Sequence, residues 1–438
     1  MAKQLPLPDK HQNFWQLSCI QSAALGLPGM IVGGAIIQTA GLGGAIISVC
    51  IGNLILWIIG LSIILMAYGE RQNAIENIKN YLGTGSCIFG SIILIIAFLS
   101  WYMLQLTSYT SAIIPFFDLT IPSQIKLGAI AGAIIAIISL GGIVAIRHTC
   151  VICFPFLLFY AVYLIIDSKV YNSTSWVWTI SFQGITSIVA TTLPGIMNLP
   201  TFFRHARSRA DAVLGFSLMT VFVMLFQITC IVREISNPSA LFSNALLGIP
   251  GMVSYPLCIV FLSLSLLCIN LVNIYFASAG LETLVNSLRG LAHKWNLIYR
   301  IMINLFTPST SSGQSTFIRF GYLIIGLLGT TFFFLLRKFP ILSFLERIAD
   351  DILSSLAIVL LLAFFTRIVV RHRPRTGAKI VSKICWFVGS VAVCIVQIFS
   401  PTNSNNPFLA GIGMTILFFV CIVFFEEIIW SIDKLIYK

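Results

Sequence analysis

Twelve apolar runs, each of 18 residues or more, follow one another along the chain with only short polar connections between them. A helix needs about 20 apolar residues to cross a bilayer, and an outer-membrane barrel strand is about ten residues of alternating polarity. Runs this long therefore predict spanning helices, over 17–38, 42–67, 86–117, 124–146, 149–166, 176–203, 212–232, 247–276, 317–336, 340–366, 380–400 and 408–430. Only 9% of the residues are charged, whereas a soluble domain carries about 25%. Water could not wet such an exterior, so lipid is the expected solvent. The expected fold class is an all-α integral membrane protein of about 12 transmembrane helices. The longest polar pieces, near 68–85 and 277–316, are too short for an independent domain.

The formal net charge is +12. In a soluble protein that balance would point to nucleic acid, but these basic residues sit in the connections between apolar runs. With the N-terminus inside, 20 of the 26 Lys and Arg fall on the inner side. Only Lys126, Lys169, Arg233, Arg337, Lys338 and Arg347 fall outside. That asymmetry is the positive-inside rule. It predicts an even number of spans with both termini cytoplasmic, in a bacterial inner membrane. The basic tract 371–379 is read as an inner loop, with the lipid bilayer as partner and no nucleic acid.

Eleven Cys lie almost all inside apolar runs. Cys150-x-x-Cys153 has no second CxxC, so the thiols read as small buried hydrophobes. His11, His148, His205, His293 and His372 fall near span ends or in loops. No HxxxH or phosphate loop occurs, so neither an enzyme nor a metal or other cofactor is expected. The N-terminus lacks the apolar core and cleavage site of a signal peptide.

Leu27-Pro28-Gly29 in the first run returns as Leu193-Pro194-Gly195 in the sixth, with Asn198 and Pro200 just after. Pro removes a backbone donor and Gly tolerates non-helical dihedrals. Paired interruptions at matching positions of two halves point to an inverted-repeat transporter, whose half-helix ends face substrate and ion at mid-depth. The expectation is an unwound turn at each site, the two facing each other. The competing reading is close helix packing through small residues.

Polar residues inside the runs give candidate ligands. Trp101 and Gln105 are four apart and share a helix face. Indole offers a stacking surface, and the amide offers two donors and an acceptor. Asn270 and Asn273 share a face on the eighth run, where the Ser263 and Ser265 hydroxyls could ligate a hard cation such as Na⁺. Glu346, Arg347, Asp350 and Asp351 fall within ten residues of the outer end of the tenth run, as a solvated vestibule or a proton relay. Glu426 and Glu427 are expected to reach cytoplasmic water.

The chain resembles the nucleobase–cation symporters, the family of cytosine, hydantoin and allantoin permeases. The likeness is carried by Met30-x-x-Gly33-Gly34, Ile51-Gly52-Asn53-Leu54, Trp101-x-x-x-Gln105, Phe202-Phe203-Arg204-x-Ala206-Arg207 and the NIYFASAGL segment from Asn273. Thr201 stands where the family has Asp, Thr192 where it has a second stacking aromatic, and Ser265 or Cys268 where it has a sodium-ligating Ser/Thr pair. The resemblance implies a five-plus-five inverted repeat with discontinuous helices 1 and 6. Its repeats would span about 17–166 and 176–366, with two extra helices over 380–430. It further implies alternating-access import of a nucleobase or related heterocycle, coupled to Na⁺ or H⁺. Substrate would contact Gly29, Trp101, Gln105, Thr191, Thr192 and Asn270 or Asn273, and the ion Ser263, Ser265 and Cys268. An amino-acid or polyamine permease of the same fold is the alternative. An intramembrane enzyme or scaffold is a third reading, although no catalytic dyad or ligand set appears at depth.

Overall fold

The computed structural model describes residues 11–70, 73–117, 121–167, 178–236, 254–292, 321–331, 341–369, 378–399 and 405–436. Within them the chain forms α1 (Phe14–Glu70), α2 (Ala74–Leu82), α3 (Thr84–Phe117), α4 (Ile121–Ser139), α5 (Gly142–Asp167), α6 (Phe182–Asn198) and α7 (Pro200–Phe203). It continues as α8 (Arg209–Ser236), α9 (Ser254–Ala292), α10 (Gly321–Thr331), α11 (Ile341–Val369), α12 (Ala378–Phe399) and α13 (Asn405–Ile436). The only extended pairing among the described residues is the single bridge between Gln12 and Ala206.

Helix α1 is two spans, Phe14–Ile37 and Ala40–Met66, folded at Gly41 with φ 64 and ψ 178. That backbone conformation suits a residue without Cβ. Eight segments are long and apolar enough to cross a membrane, and three shorter apolar helices accompany them. With α6 they make twelve among the described residues, in the expected order. Large apolar side chains such as Ile137, Phe159, Phe387, Phe399 and Val420 point outward, as lipid-facing positions require. Backbone groups bond within each helix because hydrocarbon offers them no other partner.

Several boundaries differ from the sequence reading. The turn after α4 falls at Gly141-Gly142, not near 147–148, because Gly142 supplies φ 60. Arg147 and His148 then lie inside α5. Within the polar connection near 68–85, α2 forms behind a capping box: the Asn73 side chain accepts from the Glu76 N–H, and Glu76 returns the bond to the Asn73 N–H. Helix α9 runs on to Ala292, well past the expected end at 276. Residues 293–316 lie outside the described residues.

The Pro-Gly sites are corrected too. Helix α1 leaves helical dihedrals only at Gly41, and α6 is helical through Pro194-Gly195 until Asn198. Proline deprives the carbonyls of Ala24 and Ala190 of their i+4 donors. One missing bond does not unwind a long helix whose flanks are packed. Helix six breaks later, at Leu199, where Pro200 starts the short α7. The glycines of the first span do what the competing reading expected. A Cβ at Gly26 or Gly29 would touch Phe226, and one at Gly33 would run into the Gln227 backbone.

The most extensive packing is α1 on α8, followed by α3 on α9. Helix α6 lies on α1, and α11 packs against both α3 and α6.

Candidate functional site

Contacts along α3 and α9 fix their antiparallel register. Cys87 meets Ser287, Gly280 packs on Ser91 and Leu94, Phe98 on Phe276 at 4.7 Å, and the Tyr109 hydroxyl bonds Ser263 at 3.1 Å. On α3 these positions form one stripe at helical spacing, and Gln105 lies on it. Continuing the register brings Gln105 level with Cys268 and Asn270, and Trp101 level with Val272 and Asn273. Asn273 shares the α9 face of Phe276 and Gly280, three and seven residues on. The Tyr102 ring ties α3 to α4 and α10, its hydroxyl 3.2 Å from both the Gly132 carbonyl and Thr330.

The polar atoms in this seam are incompletely paired. Gln105 is 4% exposed, and its Oε1 has no hydrogen-bond partner. Asn273 donates to the Asn270 Oδ1 at 3.2 Å, which leaves the buried Asn270 Nδ2 unpartnered. A buried polar atom without a partner costs about 1–3 kcal/mol. Two such atoms at one level of a helix seam mark a place where a ligand could complete the pairing.

Trp101, half-buried, donates its indole N–H to Asp350 Oδ2 on α11 at 2.8 Å. Trp101 is near the middle of the 34-residue α3. The bond holds Asp350 beside Trp101. A carboxylate in the membrane costs at least about 2.5 kcal/mol, which makes such a residue functional by default. The sequence marks Asp350 as an acidic residue within ten residues of the outer end of its run and carries no signal for its partner, 249 positions away.

The remaining candidates are more scattered. Gly29 turns its face to α8. Thr191 is exposed and returns its hydroxyl to the Ser187 carbonyl at 2.8 Å. Thr192 is half-buried beside it, and a Cβ at Gly195, one turn on, would meet nothing within 4 Å. The three ion candidates do not converge. Ser263 is bonded to Tyr109, and Cys268 turns to the Cys150 and Cys153 thiols of α5. Ser265, 1% exposed, keeps an unpartnered hydroxyl. The side chains of Glu346, Glu426 and Glu427 lie outside the described residues.

A second polar cluster ties the end of the bundle where α1 begins. The Gln12 N–H donates to the His205 carbonyl at 2.8 Å, and the Arg207 N–H donates to the Gln12 carbonyl at 2.9 Å. Asp211 caps α1 by accepting from the Phe14 N–H at 3.1 Å. The Ala74 N–H donates to Thr201 Oγ1 at 3.4 Å, and His205 Nε2 lies 3.2 Å from the Tyr275 hydroxyl. Arg204 also bonds Tyr275, with Glu76 and Glu282 nearby. Burial, followed by the Arg204 guanidinium and His11, pushes the His205 imidazole down to about 3. The sequence singled out the Thr201–Arg207 stretch, but not His205 or Tyr275 as its partners.

No protein-family model and no curated protein matches the chain. Solved structures do. One is Mhp1, a nucleobase-cation-symport-1 family transporter in a closed conformation with bromovinylhydantoin bound. It matches at TM-score 0.61 and 16% identity, over 96% of this chain and 94% of that one. The chain has this fold. A substrate-bound, outward-open Na⁺-coupled sialic acid symporter matches at TM-score 0.58 and 14% identity, over 93% and 88% of the two chains. A manganese transporter of Eremococcus coleocola matches at 0.53 and 13%, over 96% and 93%. The chain is thus an all-α, multi-pass membrane protein with the five-plus-five inverted-repeat fold.

Proposed function

We propose that the protein is a secondary active transporter of the inner membrane that imports a small polar solute by alternating access. The solute is a nucleobase or related planar heterocycle, driven by Na⁺ or H⁺. The observations that support this reading are two buried polar atoms without partners, Gln105 Oε1 and Asn270 Nδ2, on neighbouring helices whose register sets them at similar heights near that of Trp101. A planar ring with N–H and C=O edges answers that set: it stacks on Trp101, donates to Gln105 and accepts from Asn270. The fold supports transport over catalysis, since the chain is similar to a transporter with bromovinylhydantoin bound, a sialic acid symporter and a manganese transporter. Asn273 completes the α9 side, and Thr191 and Thr192 belong to the far wall on α6. The buried Ser265 hydroxyl is the strongest of the ion candidates. The repeats span about 17–166 and 176–366, with 380–430 as appended helices.

The test is solute uptake into proteoliposomes across a panel of purines, pyrimidines, hydantoins and amino acids, with and without Na⁺ and with an imposed pH gradient. For the solute that is taken up, Trp101→Ala and Gln105→Ala should each cost about 1–3 kcal/mol of affinity, roughly five- to 150-fold, by removing a stacking face or leaving a polar edge unpaired. Expression and folding should be preserved. Normal transport by both variants would place the site elsewhere.

A further inference from the structure

We propose that Asp350 positions Trp101 in this site and sets the site's charge, so that it admits neutral or cationic rings bearing N–H groups and turns away carboxylates. The inference rests on the transport reading above and deepens it. Its starting point is the 2.8 Å bond from the Trp101 indole N–H to Asp350 Oδ2. Indole has one donor and no acceptor, so within a membrane protein its edge must find a partner. The bond to Asp350 fixes the rotation of the ring about its side-chain torsions. An electron-rich indole face also attracts a cation lying over it.

Position adds a second argument. Helix α11 packs against α3 and also against α6. Asp350 therefore belongs to a helix that packs both on α3, which carries Trp101 and Gln105, and on α6, which carries Thr191 and Thr192. Hydrocarbon and packed helices screen a charge far less than water does. A carboxylate on the substrate would meet a like charge there. A ring with amino or imino hydrogens, or with a positive charge, would meet an attractive field. The amide of Gln105 orients such a ring but cannot choose the sign of its charge. Among the described residues of this seam, Asp350 can.

The experiment uses the full chain in lipid nanodiscs, with cytosine, hydantoin and orotate (a pyrimidine carrying a carboxylate) as probes. Three proteins are compared: wild type, Asp350→Asn and Asp350→Ala. Binding is read by thermal stabilisation, and the ring position by the ¹⁵N-indole resonance of Trp101, assigned with Trp101→Phe. Wild type should bind cytosine or hydantoin at least about tenfold more tightly than orotate. Asp350→Asn keeps an oxygen acceptor for the indole and removes the charge. It should hold the indole resonance, keep the neutral rings within about threefold, and bring orotate at least about tenfold closer to them. Asp350→Ala should shift the indole resonance and weaken every ring at least about fivefold.

An unmoved Trp101 resonance in Asp350→Ala overturns the positioning role. Orotate binding to wild type as well as cytosine, or exclusion of orotate persisting in Asp350→Asn, overturns the charge selection. If wild type binds none of the three rings, the heterocycle reading falls and the selectivity falls with it. The indole resonance needs no ligand and still decides whether Asp350 holds Trp101.

Discussion

Replacing Gly33 with alanine puts a methyl group where the backbone of α8 already runs. The new Cβ would lie 2.9 Å from the carbonyl carbon and Cα of Gln227, and closer still to its carbonyl oxygen. Carbon atoms in ordinary contact are about 3.5–4.0 Å apart. Helices α1 and α8 would have to separate by about 0.6–1 Å along their most extensive contact. Overpacking of that kind costs about 1–3 kcal/mol. It would also strain the buried 2.6 Å bond from Asn53 to Gln227. Two other glycines are the controls. A Cβ at Gly29 would sit 3.4 Å from Phe226 Cβ, an ordinary contact, and should change stability by no more than about 0.5 kcal/mol. A Cβ at Gly195 meets nothing within 4 Å, so Gly195→Ala should gain up to about 1 kcal/mol of helix propensity. The assay is thermal unfolding of the three purified variants in one detergent. A wild-type melting temperature for Gly33→Ala would refute the packing assignment. A clear loss for Gly195→Ala would mean that Pro194-Gly195 is an unwound turn after all, because only a non-helical glycine suffers from a methyl group with space around it.

Two further outcomes follow from the second polar cluster and from the charge distribution. His205 titrates near 3 in the folded protein, against about 6.5 when free. Between those values the unfolded chain binds the extra proton, so this contribution is complete above about pH 6.5 and declines as the pH falls. About 2 kcal/mol should be gone by pH 5. Melting curves of wild type and His205→Gln from pH 7.5 to 5 should therefore converge towards low pH, and parallel curves would show that His205 is not buried in its neutral form. Accessibility labelling of single cysteines introduced at Arg375 and Lys438, both outside the described residues, should report the cytoplasmic side, as the distribution of Lys and Arg requires; an external signal at either would overturn the topology.

The spans were legible because lipid imposes a single requirement, about 20 apolar residues at a time, and composition reports it directly. The chain turns between spans follow a different rule. Arg147 and His148 looked like a loop because they are polar, yet the chain turns five residues earlier, where Gly142 can take φ 60. Pro28 and Pro194 looked like breaks because proline breaks isolated helices. Here Gly26, Gly29 and Gly33 pack α1 onto α8, and that packing holds the helix through one missing bond. Trp101 and Gln105 were legible from a four-residue spacing. Asp350 was visible as a charge, but its bond to Trp101 joins positions 249 apart, and no periodicity carries that information. The ion candidates scattered for a related reason. Ser263 and Cys268 are five residues apart, which turns them to different helix faces, and their neighbours on α3 and α5 could not be read from α9 alone.

The bonds at the Gln12 end bear directly on how a transporter of this kind would move. Helices α1, α6 and α8 form one packed group, and α3 with α9 forms the centre of another. Ties between the groups gather after α6: Thr201 to Ala74 beside α3, His205 and Arg204 to Tyr275 on α9, and Phe202 packed on Phe276 at 5.1 Å. Displacing one group against the other at this end must break those bonds. Within the α3–α9 group, Gln105 and Asn270 keep unpartnered polar atoms, and Trp101 is tied to Asp350 on α11. Among the described residues, the named ties between the two groups run through the segment after α6. Under the proposed function, a solute that pairs with Gln105 and Asn270 would shift the balance between the two groups if its contacts differ between the arrangements.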